Sequence, residues 1–134
     1  MGNQLCRING IDFDVKVAIS ALEESFNVLD GENAGRVLSG RMVRDVIGTY
    51  IGHSVTFFSW HDRQAFDELW DYLIAHSVDG SVTVELADGQ KTISYEAYYT
   101  SGKRTLQQRD ADNDENYWDE IQVNFIPMDA QVKP

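Results

Sequence analysis

Asp110-Ala111-Asp112-Asn113-Asp114-Glu115-Asn116 places oxygen ligands at alternate positions, the spacing with which a calcium-binding loop begins. Two requirements of that loop are missing. Glu115 stands where the sharp turn needs glycine, and Ile121 stands where a bidentate glutamate completes the shell. The stretch therefore reads as a solvated acidic loop without a tight calcium site. His53, His61 and His76 show no metal-ligand spacing. His53, after Gly52, reads as a turn residue. His61 and His76 flank a helix, and His76 suits the helix's negative end. No Gly-x-Ser-x-Gly elbow is present. Gly35-Arg36-Val37-Leu38-Ser39-Gly40 lacks the Gly-Lys-Ser/Thr of a phosphate loop. Acidic neighbours such as Glu23-Glu24 and Asp67-Glu68-Asp71 fall on solvent faces. The one cysteine, Cys6, has no disulfide partner and reads as a small buried hydrophobe. No catalytic, cofactor-binding or metal residue is expected, and the chain reads as a non-enzyme.

Composition narrows the partners. The chain has 134 residues, with 22 acidic against 11 basic side chains and a formal net charge of -11. Phosphate contacts need clustered Lys and Arg, so nucleic-acid binding and anionic membrane surfaces are disfavoured. The N-terminus carries no signal-peptide pattern, and no apolar stretch is long enough to span a bilayer. Synthesis in a cytoplasm is expected.

The elements that position these residues are mostly strands. Asn9-Gly10 marks a tight turn, followed by a half-buried strand with Ile11, Phe13, Val15 and Val17 in alternation. Ser25–Leu29 suits a strand. Residues 30–41, rich in Gly, Asn and Ser, read as a long loop. The apolar runs 42–51 and 55–60 suggest a hairpin turning at Gly52-His53. Phe66, Leu69, Trp70, Leu73 and Ile74 share one face of a helix over 62–76, with Asp62 as N-cap. Val82, Val84 and Leu86, an Asp88-Gly89 turn, then Ile93, Tyr95, Ala97 and Tyr99 form a meander. Residues 104–116 read as a polar loop. A closing strand over 117–126 carries Ile121, Val123 and Phe125, Pro127 ends it, and 127–134 is a polar tail. The fold class is mainly β with one α-helix, a single domain of two packed antiparallel sheets (a β-sandwich or flattened barrel) with a flanking helix. Most of Trp60, Trp70, Tyr95, Tyr98, Tyr99, Tyr117 and Trp118 belong to the core. Tyr98 is out of phase with it and is a candidate for an interface.

Arg36, Gly40, Met42 and Arg44-Asp45-Val46-Ile47-Gly48 lead into a run ending Phe57-Phe58-Ser59-Trp60. The helix follows, then a Tyr-rich strand and Tyr117-Trp118-Asp119-Glu120-Ile121-Gln122-Val123-Asn124-Phe125-Ile126. This order resembles small structural proteins of phages and prophages of Gram-positive bacteria, and the layout is similar to the tail-tube fold of tail tube, distal tail and related baseplate proteins. The resemblance spans nearly the whole chain through loose, largely apolar motifs. It implies hexameric stacked rings forming a DNA conduit in a virion tail, with the chain itself and other tail proteins as partners and no cofactor. It also implies an arm, here Asp30 to Ile51, reaching a neighbour. Interface residues are expected to be Arg36, Arg41, Arg44, Val46, Ile47, Tyr50 and Phe58. The alternative is a small β-barrel module binding a small ligand or peptide.

Overall fold

Asn9 and Gly10 both adopt positive φ, 51° and 80°, as a two-residue turn of this type requires. Ile8 and Ile11 exchange backbone hydrogen bonds across it at 3.1 and 3.0 Å. The computed structural model describes residues 5–19, 22–32, 34–59 and 63–134. Trp60, His61 and the N-cap expected at Asp62 lie outside the described residues. The strand before the turn, β1 (Cys6–Ile8), continues no further with the segment after it. That segment crosses the molecule instead, burying Val15 and Val17, and only β2 (Lys16–Val17) is a strand.

Next comes a long hairpin that differs from expectation. It consists of β3 (Glu23–Asp30), two short strands β4 (Gly35–Arg36) and β5 (Met42–Val43), and β6 (Val46–Phe58). The chain does not turn at Gly52-His53. β6 runs straight through, and β3 pairs with it from Glu23↔Ser54 to Asp30↔Val46. The reversal lies in 31–45, where β4 and β5 pair with each other, so residues 30–41 are a hairpin tip rather than an open loop. Gly52 is used for close approach: a Cβ there would lie 2.9 Å from the Phe125 carbonyl oxygen.

The helix α1 (Arg63–Ala75) buries Ala65, Phe66, Leu69 and Leu73. Trp70 is half-buried, whereas Ile74 is 55% exposed and lies outside the core. Strands β7 (Val82–Asp88) and β8 (Lys91–Tyr98) form the expected hairpin, with Gly89 at φ 60° in its turn. The polar stretch expected as a loop is largely a strand. β9 (Gly102–Asp110) pairs with β10 (Glu115–Pro127) along nearly its whole length. β9 has few apolar residues because one edge is unpaired and its side chains are mostly exposed, so no hydrophobic period marks it.

β10 joins the two layers. Glu115 to Val123 pair with β9, Ile121 to Phe125 with β6, and Ile126 and Pro127 with β8. One layer is therefore β9-β10-β6-β3, with β2 at the far end of β6. The other is β1-β7-β8, closed by the end of β10. The result is mainly β with a single helix among the described residues, a flattened barrel whose core includes Val55, Phe57, Val84, Leu86, Ile121 and Phe125. The C-terminal segment is docked rather than free. Thr49 and Val132 form a bridge, and the Gln131 side chain bonds both Ile51 N and Ile51 O at 2.9 Å. It covers part of the β6 edge that β10 leaves bare. No helix among the described residues is long and apolar enough to cross a membrane.

Candidate assembly interface

The outer part of the β3–β6 hairpin projects from the body as an arm. The tip begins nine residues before Val55, the point where β6 lies against Val123, which places it about 30 Å away at the usual rise per residue. Side chains from Glu23 to Leu29 are all exposed, including Phe26 at 70%. At the tip Val37 and Val43 are exposed and Leu38 is fully so. Such a strand, apolar and paired on one edge only, invites a partner.

The arm is nevertheless internally ordered. Arg44 Nε donates to both Asp30 carboxylate oxygens at 2.9 and 3.0 Å, and its Nη2 lies 2.8 Å from the second. The Arg44 hydrogen bonds hold the Asp30 carboxyl below its ordinary value. Gly31 N donates to Asp45 O at 2.7 Å, and Arg36 Nη1 closes the tip turn on Gly40 O at 3.0 Å.

Arg36, Arg41, Arg44, Val46 and Ile47 are thus brought together on or at the base of the tip. Arg36, Arg41 and Ile47 are exposed, and Arg44 is engaged with Asp30 of its own chain. Tyr50 is half-buried midway along the arm. Phe58 is at the opposite end of β6, about 40 Å from Val46 along the strand, and does not join the group.

The layer β9-β10-β6-β3 ends in two long edge strands, because β3 pairs only with β6 and β9 only with β10 among the described residues. Each step across this layer is antiparallel. β3 and β9 consequently run in opposite directions. The face of the layer turned away from the core carries Ser25 and Asn27 of β3, Ser54 and Thr56 of β6, and Gln122 and Asn124 of β10. These are neutral hydroxyls and amides, and the register places Glu23, opposite Ser54, Lys103, opposite Gln122, and Lys16, opposite Phe58, on the same face.

His53 sits where the arm meets the body. It is not a turn residue but a 2% exposed side chain in mid-strand. Its Nε2 faces Ala87 O at 2.9 Å and Glu24 Oε2 at 3.3 Å. A carbonyl can only accept, so Nε2 carries the proton, and in the neutral ring Nδ1 accepts from the Tyr95 hydroxyl at 2.8 Å. Burial, then a hydrogen bond with Asp88, pushes the Glu24 carboxyl up. The group ties β3, β6 and the β7–β8 hairpin together. Its sequence signal is phase: His53 alternates with Val55 and Phe57 and so shares their inward face.

The remaining candidates are occupied structurally. In the β9–β10 turn, Asp110 accepts from Asn113 N and Nδ2, which lowers its pKa, and Asp114 accepts from Arg109 Nη2. Among the described residues no three His, Cys, Asp or Glu side chains are grouped to hold a metal ion. Burial pushes the Cys6 thiol up to about 12. Arg104 lies between Trp70 and Trp118, 4.8 and 4.4 Å from their ring centres, and donates to Asp67 at 2.9 Å, clamping α1 to β9 and β10. Comparison with known proteins finds no protein-family model that matches this chain and no matching curated protein.

Proposed function

We propose that this chain is a structural subunit that closes into rings, serving as a phage tail tube or closely related tail-ring protein in a virion tail. The observation that carries the reading is the pair of long unpaired edges on one layer, β3 and β9, running in opposite directions. β3 of one copy can pair antiparallel with β9 of the next. This contact is head-to-tail, so repeating it closes a ring when the rotation permits, and closure removes both edges. The order of the rotation, six in the resembling proteins, is set by the sheet's curvature in the assembly.

The face of Ser25, Asn27, Ser54, Thr56, Gln122 and Asn124, which also carries Glu23, Lys103 and Lys16, then lines the channel. Most of this face is hydroxyls and amides, which offer phosphates no ion pairs, and the chain's net charge of -11 repels a polyanion. The role is passive conduction of DNA, without cofactor or turnover.

Light scattering at several concentrations, followed by negative-stain imaging, tests the reading. Rings are expected from the parent chain, and monomers from a variant with Phe26→Lys and Val28→Lys on the edge strand. A parent that remains monomeric throughout the concentration series overturns it. The reading as a small binding module has one observation in its favour, a groove beside α1. A monomer that takes up a small ligand or peptide there would establish that reading instead.

A further inference from the structure

Beyond Gly52 the arm has little of its own to aim it. The pairing of β10 with β6 ends at Phe125↔His53, and from there to Val46 the strand keeps only β3 on one edge. A two-stranded ribbon is marginal by itself, and the glycines at 48 and 52 weaken this stretch of β6 further. Its other edge meets the segment that follows β10.

That segment is fixed at two places that belong to different layers. Where it leaves β10, Pro127 pairs with Ala97 of β8, and Met128 N donates to Glu96 O at 2.9 Å. Just beyond, it reaches the arm. Thr49 N donates to Val132 O at 2.8 Å, and Gln131 N donates to Thr49 O at 3.1 Å. The Gln131 side chain accepts from Ile51 N and donates to Ile51 O, so its amide takes the place of a strand's peptide group. β6 is shaped for this crossing: a Cβ at Gly48 would lie 2.5 Å from the Ala130 Cβ and 2.9 Å from Val132 O. The fastening is light. None of residues 128–132 is buried, and Val132 is 56% exposed. A segment held by hydrogen bonds without burial opens more readily than a core strand.

We propose that residues 128–132 are a releasable strap that fixes the direction of the arm. Fastened, the strap triangulates β6 between its own sheet and β8. Released, it leaves the arm a two-stranded ribbon that swings about Gly52. The device works within one copy and does not depend on the ring reading.

Spin labels on Leu38→Cys at the exposed tip and Ile74→Cys on α1 report the arm's direction by pulsed electron resonance. Labelled chains are diluted into unlabelled ones so that only distances within a chain are read, and the buried Cys6 stays out of the labelling. Two variants loosen the strap from opposite sides. Gln131→Ala removes the fastening amide, and Gly48→Ala puts a methyl group where Ala130 lies. Each should about double the width of the parent's distance distribution. Amide exchange by NMR locates the cause. Alternate amides of a strand point to opposite edges, so Thr49 and Ile51 face the strap while Tyr50 and Gly52 face β3. In Gln131→Ala the Ile51 amide should exchange about tenfold faster, with Tyr50 little changed. An unchanged distance distribution in both variants overturns the proposal, because the segment then only covers an edge. Equal acceleration at Tyr50 and Ile51 also overturns it, because the arm then comes apart instead of swinging as a unit.

Discussion

Val84 and Phe26 belong to strands of the same kind. Each sits in an antiparallel hairpin, each alternates with polar neighbours, and each is paired residue by residue with a longer partner. Val84 is 0% exposed and Phe26 is 70% exposed. The difference lies outside either hairpin. The apolar face of β7 belongs to one buried cluster with side chains of β6, β10 and α1, whereas Phe26 and Val28 on the arm lie outside that cluster and are exposed. Alternation specifies which side chains share a face, and only another layer decides whether that face is dry. The body is thus stable by burial within the chain, and the arm by backbone pairing and local ion pairs.

The largest effect should come from the body. Leu69 is fully buried under α1, and Leu69→Ala should cost about 2–5 kcal/mol in urea unfolding. A cost below about 1 kcal/mol would show that α1 is an appendage like the arm, and the comparison would break. Gly52→Ala probes the boundary between the regions. The added Cβ would meet the Phe125 carbonyl, so a loss of about 1–3 kcal/mol is expected by the same measurement.

Arg104→Ala removes the contact with two indole rings and should cost about 1–2 kcal/mol. Arg104→Lys should recover less than half of that, since an ammonium cannot stack as a plane between two rings. Full recovery by lysine would assign the effect to the ion pair with Asp67 alone.

A smaller effect with a definite sign is expected at the junction. Glu24 has a folded pKa raised above its ordinary value. The protonated form is therefore favoured in the native state. Its contribution is fully present below the unfolded pKa of about 4.5 and is lost as pH rises through the folded one. Glu24→Gln should accordingly raise the urea midpoint relative to the parent at pH 7 and lose that advantage at pH 4. The reverse ordering would mean that the contact with His53 outweighs burial and Asp88.

The smallest effect on the isolated chain should be at the arm itself. Phe26→Ser should change the stability of dilute protein by less than about 0.5 kcal/mol. A loss of 2 kcal/mol would place Phe26 in the monomer's core and erase the distinction between the two regions.

Much of the body was legible from local rules. The Asn9-Gly10 and Asp88-Gly89 turns, the face of Phe66, Leu69 and Leu73 on α1, and the alternations of Val82 to Leu86 and Ile121 to Phe125 all depend on backbone geometry within a few residues. Three features depended on contacts distant in the chain. Gly52-His53 resembles a turn, but Gly52 admits the β10 backbone and His53 binds Tyr95 and Ala87, so the strand continues. β9 lacks a hydrophobic period because its partner's backbone, not burial of its own side chains, makes it a strand. Of the arm, composition showed the Arg cluster and the excess of apolar residues in 42–51. Only the tertiary structure showed that β3 pairs along it, that Arg44 is spent on Asp30, and that Phe58 lies at the other end. Local sequence determines turns, helix faces and alternation because those are set by bonded neighbours and short-range sterics. Which strands lie side by side, which edges stay unpaired and which apolar faces stay wet are decided by chain segments scores of residues apart, and these are the properties on which assembly depends.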